Sequence, residues 1–211
     1  MKLKSTLDQT KIFTEFANKL IKNSMDTLTP FLSRKKETWP DEELAGISLA
    51  LIREFCQIIP LSITQNVTVL LKSFVYTRNS KDSDSSTAIS TFLRAHAFVA
   101  LGKMCLQDET LSRELFPLLA KELTTSKEDV LRNNAILILI EMLRRYPSYT
   151  DKYIPLISSC VKDMRYIIRY QSISLITNFM QQDFVKLENN FWLYCLLSTI
   201  ADEKGGYSRA R

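Results

Sequence analysis

Arginine stands at positions 94, 132 and 169, spaced 38 and 37 residues apart, and each is set in the same frame. An apolar residue precedes it, a small residue follows three positions on, and an aliphatic residue follows seven on. The three frames read Leu93, Arg94, Ala97, Leu101; Leu131, Arg132, Ala135, Leu139; and Ile168, Arg169, Ser172, Ile176. A guanidinium carries five N–H donors in a planar fork, so at such a position it can do one of two things. It can hold carboxylates or helix carbonyls of a neighbouring segment, building a ladder, or it can project outward and hold phosphate. A second set of cations, Lys103, Arg144, Arg145, Lys152, Lys162 and Arg165, joins Arg169 near predicted helix ends. That set suits contact with a nucleic-acid backbone without reading its sequence. Arg144, Arg145 and Lys152 equally suit a solvated helix end placed to favour the dipole.

The elements that position these residues follow from the spacing of apolar side chains. Three- and four-residue periodicity predicts helices over 7–28, 40–59, 63–76, 89–106, 111–123, 129–146, 149–161, 164–180 and 188–200. Pro40 is expected at a first helical position ahead of Asp41, Glu42 and Glu43, and Ser126 and Asp129 are expected as caps. A second signal keeps step with the arginines: Phe116 and Pro117 recur 38 residues later as Ile154 and Pro155. Repetition at this period means stacked helix pairs. With 4 glycines and 6 prolines in 211 residues, there is little to punctuate strands and hairpins. The expected fold is all-α, an α-solenoid of helix pairs. Its parts are an N-terminal helical segment over 1–88, a repeat core over 89–203 and a tail over 204–211. Residues 77–87, TRNSKDSDSST, hold no apolar side chain and read as a loop inside the first segment, open to phosphorylation.

Several chemistries are excluded or disfavoured. The one histidine, His96, has no nucleophile pattern near it, and no glycine-rich phosphate loop exists, so no catalytic residue is assigned and no enzyme is expected. Cys56, Cys105, Cys160 and Cys195 form no CxxC pair and are expected to be reduced core residues, with no metal and no cofactor. Lys2 and Lys4 lead into a mixed polar stretch, which is not the pattern of a signal peptide. No unbroken apolar run, that at 135–140 included, comes near the roughly 20 residues that span a bilayer, so neither a membrane nor a small-molecule substrate is an expected partner. The formal net charge of +5 is spread evenly, with 12 basic and 10 acidic side chains in residues 1–90 and 16 and 13 in the rest, so an anionic partner is allowed without a basic tail.

The wording of the repeats is also informative. The segments RAHAFVALGKMCLQDE at 94–109, RNNAI at 132–136 and DFVK at 183–186 resemble the HEAT-repeat core of the condensin non-SMC D-type subunits, most closely the condensin II version, over about residues 91–203. The resemblance implies HEAT-like pairs, partners among kleisin and SMC subunits, contact with chromatin or duplex DNA, and a place on chromosomes in the nucleus. It also favours the structural ladder for Arg94, Arg132 and Arg169, because HEAT repeats carry an arginine there, with Pro117 and Pro155 as repeat markers. A scaffold of the adaptin kind in vesicle transport is the alternative. The last predicted helix presents Phe191, Trp192, Leu196 and Ile200 with no following helix to cover them, and they are expected to form a partner surface. A fragment of a longer subunit is therefore the expected form.

Overall fold

A computed structural model describes residues 2–33, 39–58, 65–76 and 89–181. Among these are eight α-helices: α1 (Lys2–Leu28), α2 (Glu42–Ile58), α3 (Gln65–Tyr76), α4 (Thr91–Cys105), α5 (Glu109–Thr125), α6 (Asp129–Arg145), α7 (Thr150–Ser159) and α8 (Tyr166–Gln181). Short 3-10 turns follow α1, precede α7 and follow α7. The described residues hold no strand, and the fold is an all-α solenoid of HEAT-like pairs. The chain divides into two compact units, 1–111 and 112–211. The loop predicted over 77–87 and the helix predicted over 188–200 lie outside the described residues, as do Cys195 and the tail.

In the first unit, α4 packs against both α2 and α3. Its sequence, TFLRAHAFVALGKMC, buries residues nearly all round, with Leu93, Phe98, Leu101 and Met104 fully enclosed. A helix without a polar face is stable only when it is flanked on several sides, as α4 is. The approach to α2 is close. A Cβ on Gly46 would stand 2.7 Å from the Phe92 ring. Polar contacts fix the direction of the two helices: the Ser90 hydroxyl that caps α4 donates to Glu42 at the start of α2, and Gln107 Nε2 donates to the Gln57 carbonyl at 3.0 Å near their ends. The helices α2 and α4 therefore run parallel. Phe31 joins Trp39 and Phe74 in an aromatic cluster at centroid distances of 4.8 and 5.5 Å.

In the second unit, α6 packs on α8 and α7 packs on α8. Phe116 of α5 is fully buried and stacks on Tyr149 and Tyr153 at 4.6 and 5.0 Å, which fastens α5 to the start of α7. Pro117 and Pro155 sit inside α5 and α7, each beside a buried residue (Phe116, Ile154) while facing solvent itself. The backbone carbonyl deprived of its N–H partner by each proline ring is then on the wet side of the helix.

The repeated frame is built as its spacing requires. Leu93, Leu131 and Ile168 are buried, as are Ala97, Ala135 and Ser172 and the aliphatic Leu101, Leu139 and Ile176. Ser172 hides its hydroxyl by donating to the Ile168 carbonyl at 2.7 Å. The ends of elements differ from expectation in three places. Pro40 is not the first helical residue: α2 begins at Glu42, and the Asp41 carbonyl accepts from Ala45 N. Ser126 and Asp129 do not cap α6. The cap position is Glu128, without a side-chain bond, and Ser126 instead accepts from Glu128 N. Asp129 is drawn away by cations, as described below. Asp108, which reads in sequence only as a turn, accepts from Thr110 N and Leu111 N at the start of α5.

Candidate nucleic-acid interface

The arginine sites of the second unit can be followed atom by atom. Arg132 lies in the first turn of α6 with its side chain 13% exposed. One terminal nitrogen donates to the Ser126 carbonyl at 3.1 Å, six residues back. The other donates to Asp129 Oδ1 at 3.0 Å and to Asp163 Oδ1 at 3.1 Å. Asp163 belongs to the segment entering α8 and is itself 16% exposed, so this bond ties one helix pair to the next. Asp163 Oδ1 also accepts from Arg165 N at 2.8 Å, and the Arg165 guanidinium closes the ring on Asp129 at 2.5 Å. Arg169 repeats the backward reach of Arg132, donating to the Asp163 carbonyl, again six residues back, at 2.9 Å and to the Met164 carbonyl at 3.1 Å. Arg94 is half-buried in the first turn of α4.

The remaining cations are distributed by helix direction. Lys103 is half-buried in the last turn of α4, in the first unit. The other six of the set belong to the second unit. Because Arg132 at the start of α6 reaches Asp163 just before α8, these two helices are parallel, and their far ends also meet, with the Arg144 guanidinium 5.6 Å above the Phe179 ring. Arg144 is half-buried there, Arg145 is exposed beside it in the last turn of α6, and Lys152 is exposed at the start of α7, 5.2 Å over the Tyr153 ring. Lys162 and Arg165 are exposed at the opposite end, with half-buried Arg169 next to them. The six cations thus form two clusters separated by the length of α6, about 25 Å at 1.5 Å per residue. A cation at either cluster reads phosphate charge and not base identity.

Two titratable groups among the described residues are shifted by burial. His96 packs edge-on to Phe92 at 4.6 Å, and burial, with the Arg53 charge second, holds its pKa below the ordinary 6.5. Burial, with nearby Asp163 adding to it, pushes the Cys160 thiol up to about 11, so it stays protonated and unreactive. Cys56, Cys105 and Cys160 are buried and in no disulfide, and no cluster of metal-ligating side chains occurs among the described residues. Among those residues no helix is long and apolar enough to cross a membrane. Phe191, Trp192, Leu196 and Ile200 lie outside the described residues. Sequence reading missed the carboxylates Asp129 and Asp163 as partners of the arginines. It also missed Tyr166 and Tyr170, whose exposed positions on α8 had no counterpart in the repeat pattern.

Parallel helices joined in this way, with an arginine at a fixed place in successive pairs, define a HEAT-repeat protein with cationic helix ends. Its relatives narrow the class. The family described as "Condensin-2 complex subunit D3-like. HEAT repeats" matches residues 42–123. The chain is 32% identical, over an alignment of 180 residues that covers 77% of it, to the Condensin-2 complex subunit D3-L of Xenopus laevis and to the Condensin-2 complex subunit D3 of Mus musculus. It is 30% identical over 112 residues, 53% of its length, to the Condensin-2 complex subunit CAP-D3 of Arabidopsis thaliana. The chain belongs to this condensin-2 D3-like HEAT-repeat family. It spans 12% of the length of the frog and mouse relatives and 8% of the plant relative. No solved structure matches it significantly.

Proposed function

We propose that this chain acts as a non-catalytic HEAT-repeat part of a condensin-type complex in mitotic chromosome condensation, binding kleisin and SMC partners and holding chromatin or duplex DNA through phosphate contacts. The observation that carries this reading is the likeness to condensin-2 D3 proteins over 77% of the chain. The exposed cations Arg145, Lys152, Lys162 and Arg165 support the DNA contact, since they sit at helix ends open to a polyanion. Phe191, Trp192, Leu196 and Ile200 are proposed for the protein partners. The working place is the nucleus, on chromosomes, and any ATP hydrolysis belongs to the partners.

The test has two arms. The tagged chain, incubated with nuclear extract, should recover kleisin and SMC subunits. Its affinity for duplex DNA should fall with rising salt, and the combined changes Arg145→Glu, Lys152→Glu and Lys162→Glu should lower the slope of log K against log salt by about one for each phosphate no longer held. Recovery of coat or transport proteins in place of condensin subunits, with salt-independent or absent DNA binding, would reject the reading.

A further inference from the structure

The start of α8 carries a surface that the repeat does not require. Met164 is 95% exposed, Tyr166 65% and Tyr170 54%, with half-exposed Ile167 between them. In the preceding pair the corresponding positions are Lys127, Asp129 and Asn133, so packing of a helix pair does not call for aromatic rings there. The two tyrosines lie one helical turn apart, their rings close to parallel at 27° with centroids 6.1 Å apart. The Arg169 guanidinium stands 5.9 Å from the centre of the Tyr166 ring. Around them are Lys162, Arg165 and Arg132. Among the described residues, the carboxylates paired with these cations are Asp129 and Asp163, held by Arg132 and Arg165, which leaves a positive excess in the cluster. The positive end of the α8 dipole points the same way.

We infer that this surface is a stacking platform for single-stranded nucleic acid: unpaired bases lie on the open faces of Tyr166 and Tyr170 while Lys162, Arg165 and Arg169 hold the flanking phosphates. Flat rings in near-parallel order with interleaved cations are what such a strand recognises, because every base offers a π-face and every linkage a charge. A duplex hides its base faces, so the ring contact belongs to the single strand alone, although Lys162 and Arg165 serve the phosphates in both readings. The roughly 7 Å that two ring-to-base contacts occupy is close to the ring separation, so a base can also enter between the rings after a small side-chain turn.

The experiment measures anisotropy of fluorescein-labelled oligothymidylate, of a blunt duplex and of an acidic, tyrosine-bearing peptide with the full chain and two variants. Tyr166→Ala with Tyr170→Ala should weaken oligothymidylate binding roughly tenfold or more, and leave duplex binding within about twofold. Tyr166→Phe with Tyr170→Phe should retain the single-strand affinity, because the ring faces remain. Photocrosslinking of bromodeoxyuridine-substituted single strand to the unaltered chain should map to Tyr166 or Tyr170, a readout that needs no variant to fold. Equal loss with Phe and Ala, tighter binding of the acidic peptide than of the single strand, or crosslinks that avoid α8 would each overturn the proposal. Failure of the unaltered chain to bind the duplex, with its single-strand binding and the loss on Tyr166→Ala with Tyr170→Ala both seen, would overturn the duplex reading and uphold this one.

Discussion

Replacing Arg132 by alanine removes the side chain that joins three partners, and the cost follows from what is left behind. The guanidinium is nearly enclosed, and its loss leaves Asp163, also mostly buried, without a guanidinium partner. Asp129 keeps Arg165, and the Ser126 carbonyl can turn to water, so the main penalty is one buried carboxylate deprived of its cation. Breaking such a pair costs about 3 to 5 kcal/mol when burial is complete, and residual exposure here puts the expectation near the lower end, about 3 kcal/mol. For a chain of this size that corresponds to a fall in Tm of about 6 to 12 °C. Urea unfolding followed by circular dichroism measures the free energy, and a thermal scan measures the shift. Adding Asp163→Asn to Arg132→Ala removes the stranded charge, so the double variant should be more stable than the sum of the single changes predicts. Strict additivity, or an Arg132→Ala cost under about 0.5 kcal/mol, which is ordinary for an exposed site, would refute the clip.

Other expectations concern the cores and the titratable groups. Phe116→Ala should cost about 3 to 5 kcal/mol, because a fully buried ring stacked on two tyrosines leaves a cavity between α5 and α7; unchanged urea unfolding would contradict this. His96 has its folded pKa lowered, so the unfolded chain takes up the proton first as pH falls. Stability should be full above the ordinary value of 6.5 and decline as pH drops below it, and His96→Gln should remove that part of the slope in urea titrations across the range. Cys160, with its thiol raised to about 11, should resist iodoacetamide at mildly alkaline pH in the folded protein and react once urea is added, as read by mass spectrometry. Rapid native labelling at Cys160 would show that the segment after α7 opens freely.

The fold was legible where burial recurs with a period. Leu93, Leu131 and Ile168, with the small and aliphatic residues that follow them, occupy equivalent enclosed sites, and one spacing names all of them. The partners of the arginines were hidden for the opposite reason. Asp163 lies 31 residues from Arg132, and its equivalent in the preceding pair is Ser126, which has no carboxylate and meets Arg132 through its carbonyl, so no repeat marks the acid. Helix starts were misread at Pro40 and Asp129, because acids near an N-terminus serve equally as caps, dipole partners or salt-bridge acceptors, and only the cations around Asp129 decide among these. The exposed tyrosines of α8 were passed over since period analysis singles out what is enclosed.

The polar clips at the starts of the parallel helices have a mechanical meaning. Glu42 opens α2 and meets Ser90 just before α4, and Asp129 opens α6 and meets Arg165 just before α8, so the same register is fastened in each unit. Apolar surfaces slide over one another at little cost, whereas an ion pair or hydrogen bond has a direction and a short range. Under tension each clip acts as a shear pin: neighbouring pairs can flex about the fastened end, but slippage along the helix axis must first break it. In single-molecule pulling, α6 and α8 should hold their register until Arg132 and Arg165 release their acids, and then part in one step.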